Sequence, residues 1–181
     1  MIFTSIKFVI ILITLIMLYI PALGQENTAD YWNNNGVNLS RAGQYNEALA
    51  SFDKAIELNK SYAQAWSNKG NALNELDKPD DAINAYDNAI KINPEYEAAW
   101  YNKGLTLDAI GRHDEAINAF DNAIKINPEY AEAWYHKGIA LLALGRFTES
   151  QAAFIKAQDL GYTELPPMNE STRQSFNASI H

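Results

Sequence analysis

Between residues 29 and 164 the apolar positions of this chain fall on a grid. Trp32, Trp66, Trp100 and Trp134 stand 34 residues apart, and the same step carries Gly36 to Gly70, Gly104 and Gly138, and Leu39 to Leu73, Leu107 and Leu141. A second set moves in parallel: Ala48, Ala82, Ala116 and Ser150, then Phe52, Tyr86, Phe120 and Phe154, then Ala55, Ala89, Ala123 and Ala157. Within a unit, Trp32, Gly36 and Leu39 are spaced i, i+4, i+7, and so are Ala48, Phe52 and Ala55. That spacing predicts two amphipathic helices per unit, hence a helical hairpin. Gly43, Asp77, Gly111 and Gly145 mark the turn inside each hairpin. Asn93-Pro94 and Asn127-Pro128 mark the joints between hairpins, because proline disfavours helix in the residue before it. Pairs such as Gly36 with Ala48 are expected to let the two helix backbones approach closely.

The second helix carries a further apolar edge, Leu49 and Ile56, Ile83 and Ile90, Ile117 and Ile124, which becomes Gln151 and Gln158 in the fourth unit. A stacked unit buries that edge against its neighbour, so the glutamines predict that stacking stops at four. Ile155 breaks the pattern in the other direction, standing where the earlier units have Asp53, Asp87 and Asp121. It is expected to hold the start of the tail or to contact a partner. Residues 165–181, with Pro166-Pro167 and a run of Asn, Ser, Thr and Gln, read as a disordered tail.

Trp, Gly, Leu, Ala, aromatic, Ala and Pro in a 34-residue period resemble the tetratricopeptide repeat (TPR), here as four units at 29–62, 63–96, 97–130 and 131–164. The departures are Asn35 and Lys60 in the first unit and Ser150 in the last. The wording of residues 125–138 is also similar to repeats abundant in methanogenic archaea, which bears on source and not on function. The resemblance implies an all-α, right-handed solenoid whose first helices line a concave groove. Helix geometry agrees that Gln64, Ser67, Asn68, Asn71, Asn74 and Glu75 share a polar face away from Trp66, Gly70 and Leu73, a face that this reading keeps out of the core.

On that face the column Asn34, Asn68, Asn102 and His136 places groups that donate and accept in a row, suited to an extended peptide backbone. In the family this asparagine column holds peptides in that way. A blander reading has the asparagines linking adjacent helices and the tyrosines packing on their neighbours. The groove turns apolar in the third and fourth units, where Tyr101, Leu105, Tyr135, Ile139 and Leu142 are expected to be exposed unless a partner covers them. Asp30, Glu75, Asp108 and Glu132 face Arg41 alone, which favours a basic or neutral peptide with apolar side chains. The peptide-binding candidates are therefore Asn34, Asn68, Asn71, Tyr101, Asn102, Leu105, Asp108, Glu132, Tyr135, His136 and Ile139. Family members that grip acidic chaperone C-termini use lysines and an arginine in these columns; Asn33, Ala98 and Asn102 stand here, so that activity is not carried over. Lys69, Lys103 and Lys137 beside the groove read as a solvated helix face.

The first 24 residues contain Lys7 as their only charge and run apolar from Phe8 to Ile20 before Pro21. A 13-residue helix rises about 20 Å, short of a roughly 30 Å hydrocarbon core, which suits a signal peptide cleaved before Gln25, with 25–28 a short linker. Extended past Lys7, residues 2–23 instead serve as an uncleaved anchor. Either reading places the array outside the cytoplasm.

Composition removes several functions. With no cysteine there is no disulfide, thiolate metal site or cysteine nucleophile. A formal charge of -8, from 14 Lys and Arg against 22 Asp and Glu, argues against nucleic acid as a partner. His113, His136 and His181 have no metal-ligand spacing, and no phosphate loop, nucleophile elbow or dinucleotide fingerprint is present. His113-Asp114-Glu115 sits where a second helix begins, and acids there favour the helix dipole. Of the sequons at Asn38, Asn59, Asn169 and Asn177, the two in the tail are the acceptors expected of an exported chain. The sequence thus predicts a noncatalytic module without metal or cofactor that binds an extracytoplasmic protein or peptide; the alternative is an assembly protein that self-associates through the ends of the array.

Overall fold

The structure, a computed structural model, describes residues 27–164. The expected signal peptide or anchor at 1–24 and the expected disordered tail at 165–181 lie outside the described residues. Eight helices follow in order: α1 (Ala29–Arg41), α2 (Tyr45–Leu58), α3 (Ala63–Glu75), α4 (Pro79–Ile92), α5 (Glu97–Ala109), α6 (His113–Ile126), α7 (Ala131–Ala143) and α8 (Phe147–Asp159). They pair as four antiparallel hairpins. Each second helix packs on the first helix of the next hairpin, and the first helices of neighbouring hairpins touch along one side. This is an α-solenoid.

Local chemistry explains the punctuation. Each first helix ends at a residue in the left-handed region: Gly43, Asp77, Gly111 and Gly145, at φ 75°, 56°, 79° and 71°. The next N–H then reaches back to the helix, as from Gln44 N to Leu39 O at 2.9 Å and from Arg112 N to Leu107 O at 2.9 Å, which closes the hairpin tightly. Second helices end on Asn59, Asn93 and Asn127 in extended conformation. Their side-chain oxygens accept from the N–H two residues on, in Ser61, Glu95 and Glu129.

Each periodic residue has an identifiable task. The indole N–H of Trp66, Trp100 and Trp134 donates to the carbonyl of residue 60, 94 or 128, six positions back, and so ties the joint to the helix that follows it. The ring of Phe52, Tyr86, Phe120 or Phe154 packs directly against a glycine; a Cβ at Gly36, Gly70, Gly104 or Gly138 would fall 2.5–2.7 Å from it. The glycines thus admit the aromatic ring of the paired helix. Ser150, the departure from alanine, donates to Gly138 O at 2.7 Å and is fully buried.

The lysines correct the sequence reading more sharply. Lys69, Lys103 and Lys137 are not a free solvated face: they pair with Asp53, Asp87 and Asp121 of the preceding hairpin at 2.6, 2.5 and 2.5 Å. Each ammonium also lies 5.4–5.8 Å from the ring centroid of Trp66, Trp100 or Trp134. This ladder stitches one hairpin to the next, and it lacks a lysine at Asn35 and an aspartate at Ile155. Asn35 replaces lysine in the first described hairpin, and Ile155, 51% exposed, replaces aspartate in the last.

Both ends of the stack differ from its interior. Ala65, Ala99 and Ala133 are fully buried against the preceding hairpin, but the equivalent in α1 is Tyr31, 40% exposed. A tyrosine there blocks an in-register neighbour, and exposed Asn38 stands where Ala72, Thr106 and Ala140 are buried. At the other end, Gln151 and Gln158 take the places of Ile117 and Ile124, both buried.

Candidate functional site

The first helices α1, α3, α5 and α7 line one side of the stack, and their groove-facing residues form two distinct surfaces. In the first half the floor is a chain of amides. Asn68 Nδ2 donates to Asn33 Oδ1 at 2.9 Å, and Asn102 Nδ2 donates to Asn71 Oδ1 at 3.0 Å; Asn71 Oδ1 also accepts from the buried Tyr86 hydroxyl at 2.8 Å. One N–H of Asn68 and one of Asn102 is thereby committed to the neighbouring first helix, as the blander reading had it. Asn34 and Asn71 themselves are exposed.

In the second half the floor is aromatic. His136 lies against Phe120, with ring centroids 6.2 Å apart and planes at 30°, and meets Tyr101 and Tyr135 edge-on at 5.8 and 5.4 Å. Burial lowers the His136 pKa from its ordinary value, against the pull of Asp108, Glu164 and Glu132. Leu105 and Ile139 pack into the clusters around Phe120 and Phe154. Glu132 is exposed, while Asp108 Oδ1 sits 2.7 Å from His113 Nδ1 and is engaged within its own hairpin.

The expectation of an exposed apolar patch needs correction. Tyr135 is only 6% exposed, and Tyr101, Leu105, Ile139 and Leu142 are half-buried. Ser67 and Asn33 are buried as well, although helix geometry put this column on the polar face. The cause is a tyrosine column that the sequence reading overlooked. The residue preceding each inner first helix, Tyr62, Tyr96 or Tyr130, folds over the first helix of the hairpin before it. Tyr62 donates to Asp30 at 2.7 Å, which together with burial pushes its pKa up to about 12. Tyr96 is hydrogen-bonded to Ser67, and Tyr130 packs on Tyr101 with centroids 4.9 Å apart and planes tilted by 40°. Beyond α8, Gly161 at φ 94° turns the chain and Tyr162 stacks on Tyr135 at 4.4 Å. The signal was in the sequence at the same 34-residue step, except that Tyr162 falls two positions short of it.

Among the described residues no group of His, Asp or Glu is disposed to hold a metal ion, and no helix is long and apolar enough to cross a membrane.

The fold and its periodic columns define a tetratricopeptide array, and comparison agrees. Tetratricopeptide repeat models match residues 63–96 and 101–161, and a TPR repeat model matches 41–77. Among solved structures, a crystal structure of MamA is 31% identical, with a TM-score of 0.70 over 74% of this chain and 78% of that one. MamA 41-end from Desulfovibrio magneticus RS-1 is 26% identical, with a TM-score of 0.69 over 75% and 77%. The first TPR of Spaghetti (RPAP3), bound to HSP90 peptide SRMEEVD, shares the fold at 21% identity, with a TM-score of 0.63 over 65% and 93%. No curated protein matches. The chain belongs to the tetratricopeptide repeat family, a protein-interaction fold that typically has no catalytic role.

Proposed function

We propose that the protein is a noncatalytic binding module that holds an extended peptide or partner segment in its concave groove, outside the cytoplasm. The observation that carries this reading is the change of floor along one continuous groove, from amides bridging α1, α3 and α5 to rings and carboxylates on α5 and α7. A peptide lying along it meets backbone partners first and side-chain subsites second. A chain of the same fold with a bound peptide supports the mode of binding and not the ligand. The peptide there is acidic, whereas this groove presents Asp30, Glu75 and Glu132, so a basic or neutral partner fits. Export rests on residues 1–24; N-terminal sequencing of the protein recovered from its source's envelope fraction tests it, Gln25 marking a cleaved signal and Met1 an anchor.

The alternative, self-association through the ends, is opposed by Tyr31 and Asn38 at one end and Gln151 and Gln158 at the other. One experiment separates the two readings. Partners retained from the envelope fraction are compared for the native chain and for the triple variant Asn34→Ala, Asn102→Ala, Glu132→Gln, with sizing at several concentrations. A partner retained by the native chain and lost by the variant supports the groove. Retention that is indifferent to the variant, or a mass that rises with concentration while nothing else is retained, overturns it.

A further inference from the structure

The last hairpin leaves a socket that the inner hairpins do not. Beside Tyr101, Phe120 and Ala123 the seam is closed by the next hairpin, whose Tyr130, Ala133 and Trp134 pack there. The matching residues of the last hairpin are Tyr135, Phe154 and Ala157, and against them remains a cavity of about 200 Å³, lined also by Gln158, Tyr162 and Glu164. Tyr162 supplies the tyrosine that a following hairpin would bring, but nothing described takes the place of Ala133 or Trp134.

The walls and the rim of this cavity have a consistent electrostatic sign. The half-buried Tyr162 ring, packed 4.4 Å from that of Tyr135, gives the cavity an aromatic wall. The Tyr162 hydroxyl is hydrogen-bonded to the Glu164 carboxylate, which fixes a negative charge at the rim, and with burial pushes the phenol up to about 12. No lysine or arginine lines the cavity, and the seam lysines are each paired with an aspartate of the preceding hairpin. An apolar side chain placed here would strip water from Glu164 and Gln158 without compensation, whereas a cation would find aromatic faces and a carboxylate together.

We propose that this terminal cavity takes a cationic side chain, arginine or lysine, of the partner segment lying in the groove. The proposal rests on the groove reading and names the chemistry of its last subsite. The test uses the full chain and small probes: Nα-acetylargininamide against Nα-acetylcitrullinamide, which has nearly the same shape and no charge, followed by the ring-proton resonances of Tyr135 and Tyr162. The charged probe should bind at least roughly fivefold more tightly, and Glu164→Gln should remove that preference. Circular dichroism establishes that the variant folds, and Tyr162→Leu provides a second route to the same loss. Equal binding of the two probes, no shift at either ring, or a preference that survives both variants overturns the proposal. If Arg173→Gln tightens the charged probe, the chain's own arginine is the occupant and the partner assignment fails. Because the probes need no partner, failure here is distinguishable from failure of the groove reading, which is scored on partner retention.

Discussion

Hairpins one and two and hairpins three and four share one frame and carry opposite surfaces. In the first pair the groove side is held by amide hydrogen bonds between neighbouring first helices, Asn33 to Asn68 and Asn71 to Asn102. In the second pair rings and aliphatic side chains take over most of these columns, Tyr101 and Tyr135 standing in line with Asn33 and His136 in line with Asn68, and they pack against Phe120, Tyr130, Phe154 and Tyr162. The frame is set by residues that recur at every repeat, so the residues that do not recur are free to diverge. A directional amide network fixes positions by geometry, and an aromatic cluster fixes them by burial. The first half should respond to loss of single hydrogen bonds, the second to changes in charge and packing.

The largest expected effect tests the shared frame. Gly70→Ala places a Cβ 2.6 Å from the Tyr86 ring and Gly104→Ala one 2.5 Å from that of Phe120, an overpacking that costs about 1–3 kcal/mol. Tyr86 is also anchored by its bond to Asn71 and is less able to yield. Thermal unfolding should therefore fall further for Gly70→Ala than for Gly104→Ala; the reverse order would deny the amide network a structural role.

Removing that anchor directly, with Tyr86→Phe, should cost about 1 kcal/mol in chemical denaturation, the usual net value of one buried hydrogen bond. Next comes the seam. Lys103→Met breaks a partly exposed ion pair with Asp87 and an ammonium–indole contact, and a loss of roughly 0.2–1 kcal/mol, shrinking in high salt, is expected from denaturation at two ionic strengths.

The second half should carry a pH signature that the first lacks. Burial lowers the His136 pKa below its ordinary 6.5, so the unfolded chain takes up the proton first. The stability tied to the neutral ring is present above that pH and is lost as the pH falls through it toward the folded value. His136→Asn, which gives this position the residue of the other three repeats, should flatten the melting temperature across that window. A slope unchanged by the substitution would mean that Asp108, Glu132 and Glu164 balance the burial.

The smallest effect is in a turn. Asp77 occupies the left-handed region that glycine fills at residues 43, 111 and 145. Asp77→Gly should raise stability by a few tenths of a kcal/mol in thermal melts, relief of backbone strain slightly exceeding the added flexibility of the unfolded chain.

By itself the sequence determined the hairpin, its turns and the family, since these follow from period and helix spacing. The change of character from Asn68 to Tyr101 was legible for the same reason, as was the polar edge that Gln151 and Gln158 give the fourth hairpin. The tertiary structure decided what each column meets. Lys103 reads as a solvated residue until the preceding hairpin's register sets it beside Asp87, and Tyr135 reads as groove surface until the turn at Gly161 lays Tyr162 over it. Periodicity fixes which residues share a face of one helix. Burial and pairing depend on the neighbouring hairpin, and that contact exists only once the stack has formed.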